Sequence, residues 1–165
     1  MALCLLVPLS VFAPRGAAQG TITTFDAPGA GTAAGQGTFP VAISSTGVIT
    51  GLYTDASNVN HCFVRTPDRI MTTFDAPGAG TRANQGTFPL SINLGGAIAG
   101  LYFDANSVQH GFLRSPDGTF ATFDAPGAGT SSGQGTLARN INVAGVIAGH
   151  IIDGGQCISR LCSHI

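Results

Sequence analysis

The side chains best suited to acid–base chemistry recur in matched sets along the chain. In each set a histidine stands a short turn after an aspartate, and an arginine follows it. Histidine and aspartate are the usual groups of general acid–base catalysis. A catalytic centre, however, is normally one asymmetric convergence of different groups, whereas this set is repeated. We therefore expect a structural His–Asp hydrogen bond and no catalytic residues. The positions concerned are His61, His110, Asp55, Asp104, Arg65 and Arg114, with Asp153 as a third counterpart of the aspartates.

A second recurring carboxylate begins a glycine-rich stretch. Asp26, Asp75 and Asp124 each open the string Asp-Ala-Pro-Gly-Ala-Gly-Thr. Carboxylate and loop carbonyl oxygens are the ligands that Ca²⁺ takes, so these aspartates are weak calcium candidates. Calcium sites usually combine several acidic ligands, whereas an aspartate in a turn commonly accepts local backbone N–H groups. The turn is the favoured interpretation, and the sequence predicts neither a metal nor a cofactor.

These residues belong to a repeat with one fixed period. Phe25, Phe74 and Phe123 are spaced by 49 residues (74 − 25 = 49; 123 − 74 = 49), and the strings around them agree. Self-similarity at a fixed period of this length is typical of a repeat architecture. The predicted repeats cover 23–71, 72–120 and 121–165, and the last diverges after residue 153.

Within one repeat, apolar residues alternate on both parities, which favours strands covered on both sides. Turn chemistry at Asn93–Gly96 and Ser115–Gly118 separates these runs. The second repeat is therefore predicted to form an antiparallel meander with strands near 87–92, 97–103, 111–114 and 119–125.

An all-β fold follows, made of repeats of four-stranded antiparallel meanders. We expect a β-propeller-like arrangement, incomplete at about three blades, with a β-solenoid or β-prism-like stack as the alternative. The segment 21–27 is predicted to complete the last sheet beside residues 138–152. Otherwise, exposed sheet edges predict self-association.

Composition excludes some partners and leaves most open. Charged residues make up 9% of the chain, and the net charge is −1 without a basic cluster, so no nucleic-acid partner is expected. A hydrophobic content of 44% with ten Phe favours a packed core over disorder. No ligand or other partner can be inferred from the residues.

The N-terminus predicts export. Residues 1–12 are mostly apolar but too few to span a bilayer, and small residues follow at Gly16 and Ala18. This pattern is typical of a signal peptide over 1–18, ahead of one β-repeat domain over 19–165. A buried N-terminal strand is the alternative. No later segment is long and apolar enough to form a transmembrane span, and the expected location is secreted or at the cell surface.

The end of the third repeat departs from the pattern. Where the register requires a His-Gly-Phe-Leu-Arg-like string, the chain has Ser159-Arg-Leu-Cys-Ser163. Codons for residues 156–163 can be chosen so that a one-base shift reads Ser-Val-Ser-His-Gly-Phe-Val-Arg, as in the second repeat. The hypothesis is that a frameshift truncated a longer repeat protein, which would make Cys157 and Cys162 by-products. The gene's DNA sequence tests it.

The repeated strings resemble a known family. The Phe-Asp-Ala-Pro-Gly-Ala-Gly-Thr string, the run over Ile92–Asp104 and the His-x-Phe-x-Arg string are similar to the bacterial "probable extracellular repeat, HAF family". Its His-Ala-Phe motif corresponds here to His61–Phe63 and His110–Phe112, with a different middle residue. The resemblance implies an exported bacterial repeat protein and brings no established activity.

Three functions remain open. The first is a secreted binding or structural module. The second is a fragment of a propeller-type carbohydrate-active enzyme, a hydrolase or lyase. The third is a non-functional remnant of a frameshifted gene.

Overall fold

The computed structural model describes residues 22–154 and the backbone of residues 156–164. These residues form eleven β-strands. Within these ranges there is no helix with the length and hydrophobicity needed to cross a membrane. The predicted signal peptide over 1–18 lies outside the described residues. The strands are β1 (Gly37–Ile43), β2 (Ile49–Thr54), β3 (Asn60–Arg65), β4 (Met71–Phe74), β5 (Gly86–Ile92), β6 (Ile98–Phe103), β7 (Gln109–Arg114), β8 (Phe120–Phe123), β9 (Gly135–Ile141), β10 (Val146–Asp153) and β11 (Gln156–His164).

The strands form three successive antiparallel meanders, which we call units. Unit 1 contains β1–β4, unit 2 contains β5–β8 and unit 3 contains β9–β11, and in each unit neighbouring strands pair in chain order. The structure confirms the all-β prediction and the repeated hairpins. The predicted strands of unit 2 agree with β5–β8 apart from the ends, where β8 stops at Phe123 and residues 124–125 begin the next loop.

One short parallel bridge joins each unit to the next. Asn60 pairs with Gly86 between units 1 and 2, and Gln109 pairs with Gly135 between units 2 and 3. These bridges connect the strands into one open sheet of mixed direction. Neither a closed propeller nor a solenoid forms within the described residues.

The predicted closing strand over 21–27 is wrong for the residues that the structure describes. Residues 22–27 form no strand, and the Phe25 ring instead packs edge-on against Phe63 of unit 1 at 6.0 Å. No described strand precedes this segment to pair with it, and β11 already pairs with β10. Phe25 is the counterpart of Phe74, whose ring lies against Phe120 of the following unit at 6.0 Å. The segment therefore covers the unit that follows it in the chain.

Each unit packs through two faces. We call the face turned toward the preceding part of the chain the leading face, and the opposite face the trailing face. On the leading face of unit 2, Ile92, Ile98 and Phe112 are 9%, 0% and 0% exposed. The trailing face of unit 1 covers them with Ala42, Val48, Val64 and Phe74. On the leading face of unit 3, Ile141 and Ile147 are covered in the same way by residues of unit 2, which include Ala97, Leu113 and Phe123.

Small residues at the strand centres permit close strand spacing. A Cβ atom on Gly100 would lie 2.1 Å from the Phe88 carbonyl oxygen and 2.8 Å from the Phe112 ring, and one on Gly51 would meet Phe39 and Phe63 at 2.3 Å and 2.7 Å. No side chain fits there without a shift of backbone, which explains why glycine recurs in these strands.

The last strand keeps the register of the repeat. β11 pairs with β10 from Val146 opposite His164 to Ile151 opposite Ser159. This is the register of unit 2, because Ile151 and Ser159 are the counterparts of Tyr102 and His110, which also lie opposite each other. The backbone thus continues the meander where the residue types depart from the pattern. Side chains of residues 155–165, including Cys157 and Cys162, lie outside the described part of the chain, as does Cys4.

Candidate functional site

The imidazole of His61 lies between two carboxylates at the outer end of unit 1. Its Nδ1 atom lies 2.9 Å from Asp75 Oδ2 and 3.1 Å from Oδ1, within hydrogen-bonding distance of both. Its Nε2 atom lies 3.6 Å from Asp55 Oδ2. Strand pairing explains this position, because Cys62 opposite Phe74 and Tyr53 opposite His61 bring all three side chains to one end of the sheet.

Asp55 is held by its own turn. Its Oδ1 atom accepts hydrogen bonds from the backbone N–H groups of Ser57 and Val59, both at 2.8 Å. Burial alone would raise the pKa of Asp55, but these two N–H groups and His61 outweigh it and hold the pKa below its ordinary value. The carboxylate thus closes the β2–β3 turn and also faces the imidazole.

An aromatic ring supports the imidazole from the adjacent strand. The Tyr53 ring stacks on His61 with ring centroids 5.0 Å apart and an interplanar angle of 23°. A Cβ atom added to Gly29, in the preceding glycine-rich loop, would lie 3.4 Å from the Tyr53 ring, so the loop passes close to this ring. Burial, with a smaller contribution from the negative charge of Asp75, raises the pKa of Tyr53.

Unit 2 reproduces this cluster at nearly the same distances. His110 Nδ1 lies 2.8 Å and 3.0 Å from the two oxygens of Asp124, and His110 Nε2 lies 3.7 Å from Asp104 Oδ2. The Tyr102 ring stacks on His110 at 5.0 Å and 24°. Burial raises the pKa of Tyr102 as well. The two clusters are therefore copies of one arrangement, which we call the His–Asp–Asp–Tyr cluster.

Unit 3 does not repeat the cluster. Ile151 stands where the tyrosine would be, and Ser159 occupies the register position of the histidine. Asp153 lies at the end of β10, and its backbone pairs with Gln156.

A small cavity opens beside His61 at the junction of units 1 and 2. It measures about 140 Å³ and is lined by His61, Asp75 and the loop that follows Asp75. Gln85 holds this loop in place, since its side chain accepts from the Arg82 N–H group and donates to the Ala105 carbonyl. These hydrogen bonds tie the loop to itself and to the β6–β7 turn of unit 2.

The recurring arginines lie outside the clusters, each over a phenylalanine ring from the segment before its unit. The guanidinium of Arg114 lies 4.6 Å from the ring centre of Phe74, and that of Arg65 lies 4.6 Å from the ring centre of Phe25. Burial lowers the pKa of Arg114, and its Nε atom is buried without a hydrogen-bond partner among the described residues. These cation–π contacts join each unit to the segment before it.

The calcium candidates have different surroundings from one another. All three are exposed; Asp75 and Asp124 are hydrogen-bonded to histidines, whereas Asp26 lies ahead of unit 1, where the sequence has no histidine. In the part of the chain that the structure describes, no group of three or more His, Cys, Asp or Glu side chains is arranged to hold a metal ion.

Sequence reasoning paired His61 with Asp55 and did not link it to Asp75. The missing information was strand register. Because β3 and β4 are antiparallel, the residue before Cys62 comes to lie beside the residue after Phe74, and those residues are His61 and Asp75. The same register joins His110 to Asp124. A predicted hairpin register would have found both contacts.

Comparison of the chain with family models, with curated proteins and with solved structures found no match. The geometry of the clusters therefore carries the argument on function.

Proposed function

We propose that this chain is an exported bacterial β-repeat module that acts as a structural or binding element, akin to the extracellular HAF repeat proteins. The observation that carries the proposal is the recurrence of the His–Asp–Asp–Tyr cluster in units 1 and 2 at matching distances. A repeated cluster of identical composition is typical of residues that stabilise the fold of each repeat, whereas catalysis normally uses one asymmetric centre.

The internal contacts of the cluster support a structural role. Both ring nitrogens of His61 face carboxylates of the same chain, and one ring face is stacked on Tyr53. The two carboxylates belong to different elements from the histidine: Asp55 lies in the β2–β3 turn, and Asp75 begins the loop to unit 2. The imidazole thus ties a turn, a strand and an inter-unit loop together.

The finer architecture proposed is a propeller-like stack of units. Four-stranded meanders that pack face on face, with small residues at the strand centres, are what propeller blades require. The contacts between the trailing face of unit 1 and the leading face of unit 2 support this arrangement. The export proposal is supported by the residue types of 1–18 alone.

The test begins with the full chain expressed in a bacterial host and collected from the extracytoplasmic fraction. We expect a product whose mass corresponds to a chain starting at Gln19. A full-length product confined to the cytoplasm would contradict export.

The same product is then incubated with a panel of bacterial and plant polysaccharides. We expect no release of reducing ends and no unsaturated products. The free energy of unfolding of the double variant His61→Gln/His110→Gln should be about 1–3 kcal/mol lower than that of the unaltered chain. The reason is that each hydrogen bond from the imidazole to a carboxylate is lost or weakened. Polysaccharide cleavage that this variant loses while it stays folded would favour a carbohydrate-active enzyme instead.

A further inference from the structure

The leading face of unit 1 is partly open, although the same face of units 2 and 3 is covered. Ile43 is 66% exposed, whereas its counterparts Ile92 and Ile141 are 9% and 8% exposed. Residues 22–31 cover the outer part of this face through Phe25 and Gly29. Its inner part, made by β1 and the start of β2, is more open: Pro40 and Ile43 are exposed, while Gly37 and Ile49 are half-buried and Ile49 packs at the edge of the covered part. We call it the inner leading patch, and it consists of Gly37, Pro40, Ile43 and Ile49.

The inner leading patch retains the geometry of a junction between units. Gly37, Gly86 and Gly135 share a positive φ, at 124°, 109° and 129°. A Cβ atom on Gly86 would lie 1.9 Å from the Asn60 carbonyl oxygen, and one on Gly135 would meet the Gln109 oxygen at the same distance. At Gly37 no described atom lies within 4 Å of that position. Beside it, a shallow apolar depression of about 200 Å³ runs along Pro40–Ile43 and Ile49.

Part of the trailing face of unit 3 is also exposed, on strand β10. Ala148 is exposed, although its counterparts Thr50 and Ala99 are 0% exposed beneath the following unit. Val146 lies beside it and is the counterpart of Val48, which packs into the first junction. At Val146 and Ala148 the open surface of unit 3 thus offers the counterparts of residues that already lie in the interface between units of this chain.

Polar groups at the rims also match. At the junction of units 2 and 3, Asn93 Nδ2 donates to the Asn142 carbonyl at 3.1 Å. Asn142 is the counterpart of Asn93 on the trailing rim of unit 3, and Ser44 offers the corresponding carbonyl on the leading rim of unit 1. His150, on the same face of β10, already accepts a hydrogen bond from Arg139 Nε at 3.3 Å.

We propose that the inner leading patch binds the trailing face of unit 3 of a second copy of this chain, head to tail. Apolar patches of this kind mark interaction sites, and a repeat that covers the same patch twice within one chain defines the shape of its partner. A head-to-tail contact uses two different surfaces, so it yields a closed ring or an open row of copies. The proposal rests on the packing of the units and is independent of the role in export or binding. It places self-association on sheet faces, in contrast to the sheet edges expected from the sequence.

The test uses the purified chain and measures its mass in solution by sedimentation over a range of concentrations. We expect the unaltered chain to form dimers or larger assemblies. Ile43→Asp and Ala148→Asp, one on each surface, should each weaken association at least about 30-fold, because a charge is placed in the centre of an apolar contact. Leu94→Asp is the matched control, since Leu94 is a 54% exposed apolar residue on a turn of unit 2, away from both surfaces. It should leave association unchanged.

Mixing the two variants distinguishes head-to-tail binding from other arrangements. Ile43→Asp keeps an intact trailing face and Ala148→Asp keeps an intact leading patch, so an equimolar mixture should form a one-to-one heterodimer. Circular dichroism confirms that each variant is folded, and Pro40→Asp serves as a second variant of the leading patch.

Three results would overturn the proposal. The first is an unaltered chain that stays monomeric at every concentration. The second is association that Ala148→Asp leaves intact, because two leading patches would then be binding each other. The third is a set of nuclear Overhauser contacts, within one molecule, between the inner leading patch and those residues of 1–21 that the purified chain retains, because the patch would then be covered from within.

Discussion

The two histidines each occupy a position where three parts of a unit meet. The His61 ring nitrogens lie 2.9 Å from an Asp75 carboxylate oxygen and 3.6 Å from an Asp55 carboxylate oxygen, and the ring stacks on Tyr53. His110 makes the same contacts in unit 2. A substitution at any member removes a contact between elements that are distant in the chain. The cluster therefore contributes to the tertiary structure of its unit more than to any local turn.

The tyrosines provide a direct measurement of the cluster. The chain has two Tyr and no Trp, so its phenolate absorbance reports on Tyr53 and Tyr102 alone. Burial, then the nearby aspartates, raises the pKa of both above 10.0, so both should ionise at higher pH in the folded chain than in denaturant. The neutral form is favoured by folding. The stability that comes from burying the neutral tyrosines is present below about pH 10, the pKa of an unfolded tyrosine. It is lost as the pH rises through the raised pKa of Tyr53 and Tyr102 in the folded chain.

An ultraviolet titration of the native and denatured chain checks this expectation. If the titration midpoint were the same for the native and the denatured chain, the Tyr rings would not be packed beneath the glycine-rich loops. The variant His61→Gln should reduce the difference at Tyr53, since that ring loses its stacked partner.

At the scale of the strands, residue types predicted the elements better than their contacts. Alternating apolar residues and the turns at Asn93–Gly96 and Ser115–Gly118 predicted β5–β8 within a few residues, because both signals are local. Residues 22–27 carry the same strand-like residue types, yet the predicted closing strand was wrong. The counterpart segment Met71–Phe74 forms β4 because it pairs with β3, whereas no described strand precedes residues 22–27 and β11 already pairs with β10. No local pattern contains that information.

The pairing of His61 with Asp75 was missed for a similar reason. These residues are far apart in the chain and meet through the register of β3 and β4. The aspartate itself was identified, but as a turn residue and weak calcium candidate.

Two matched glycines test the junction between units. Gly86→Ala and Gly37→Ala carry the same backbone penalty, because both positions have positive φ, at 109° and 124°. That strain costs about 1–3 kcal/mol. Gly86→Ala should cost at least about 2 kcal/mol more, since its new methyl group would strike the Asn60 carbonyl, whereas at Gly37 no described atom lies within 4 Å of the new methyl position.

Urea unfolding of both variants measures the difference, at concentrations low enough to keep the chain monomeric. Equal losses of stability would mean that units 1 and 2 do not approach each other as closely as the Asn60–Gly86 bridge requires.

At the scale of the whole molecule, stability comes from the faces between units. Ile98, Phe112 and Ile147 are each 0% exposed, and they lie on leading faces beneath the preceding unit. A unit by itself would leave these faces exposed, so each unit depends on the next. The open faces of units 1 and 3 follow from the same rule, and they lead to the proposed contact between copies.

The most direct test of this packing is a set of nuclear Overhauser contacts in the isotopically labelled chain. The account predicts contacts between the rings of Phe74 and Phe120, which belong to different units, and between the side-chain amide of Asn93 and residue Asn142. It also predicts backbone contacts between Asn60 and Gly86. A spectrum in which well-formed hairpins show contacts only within their own unit would contradict it.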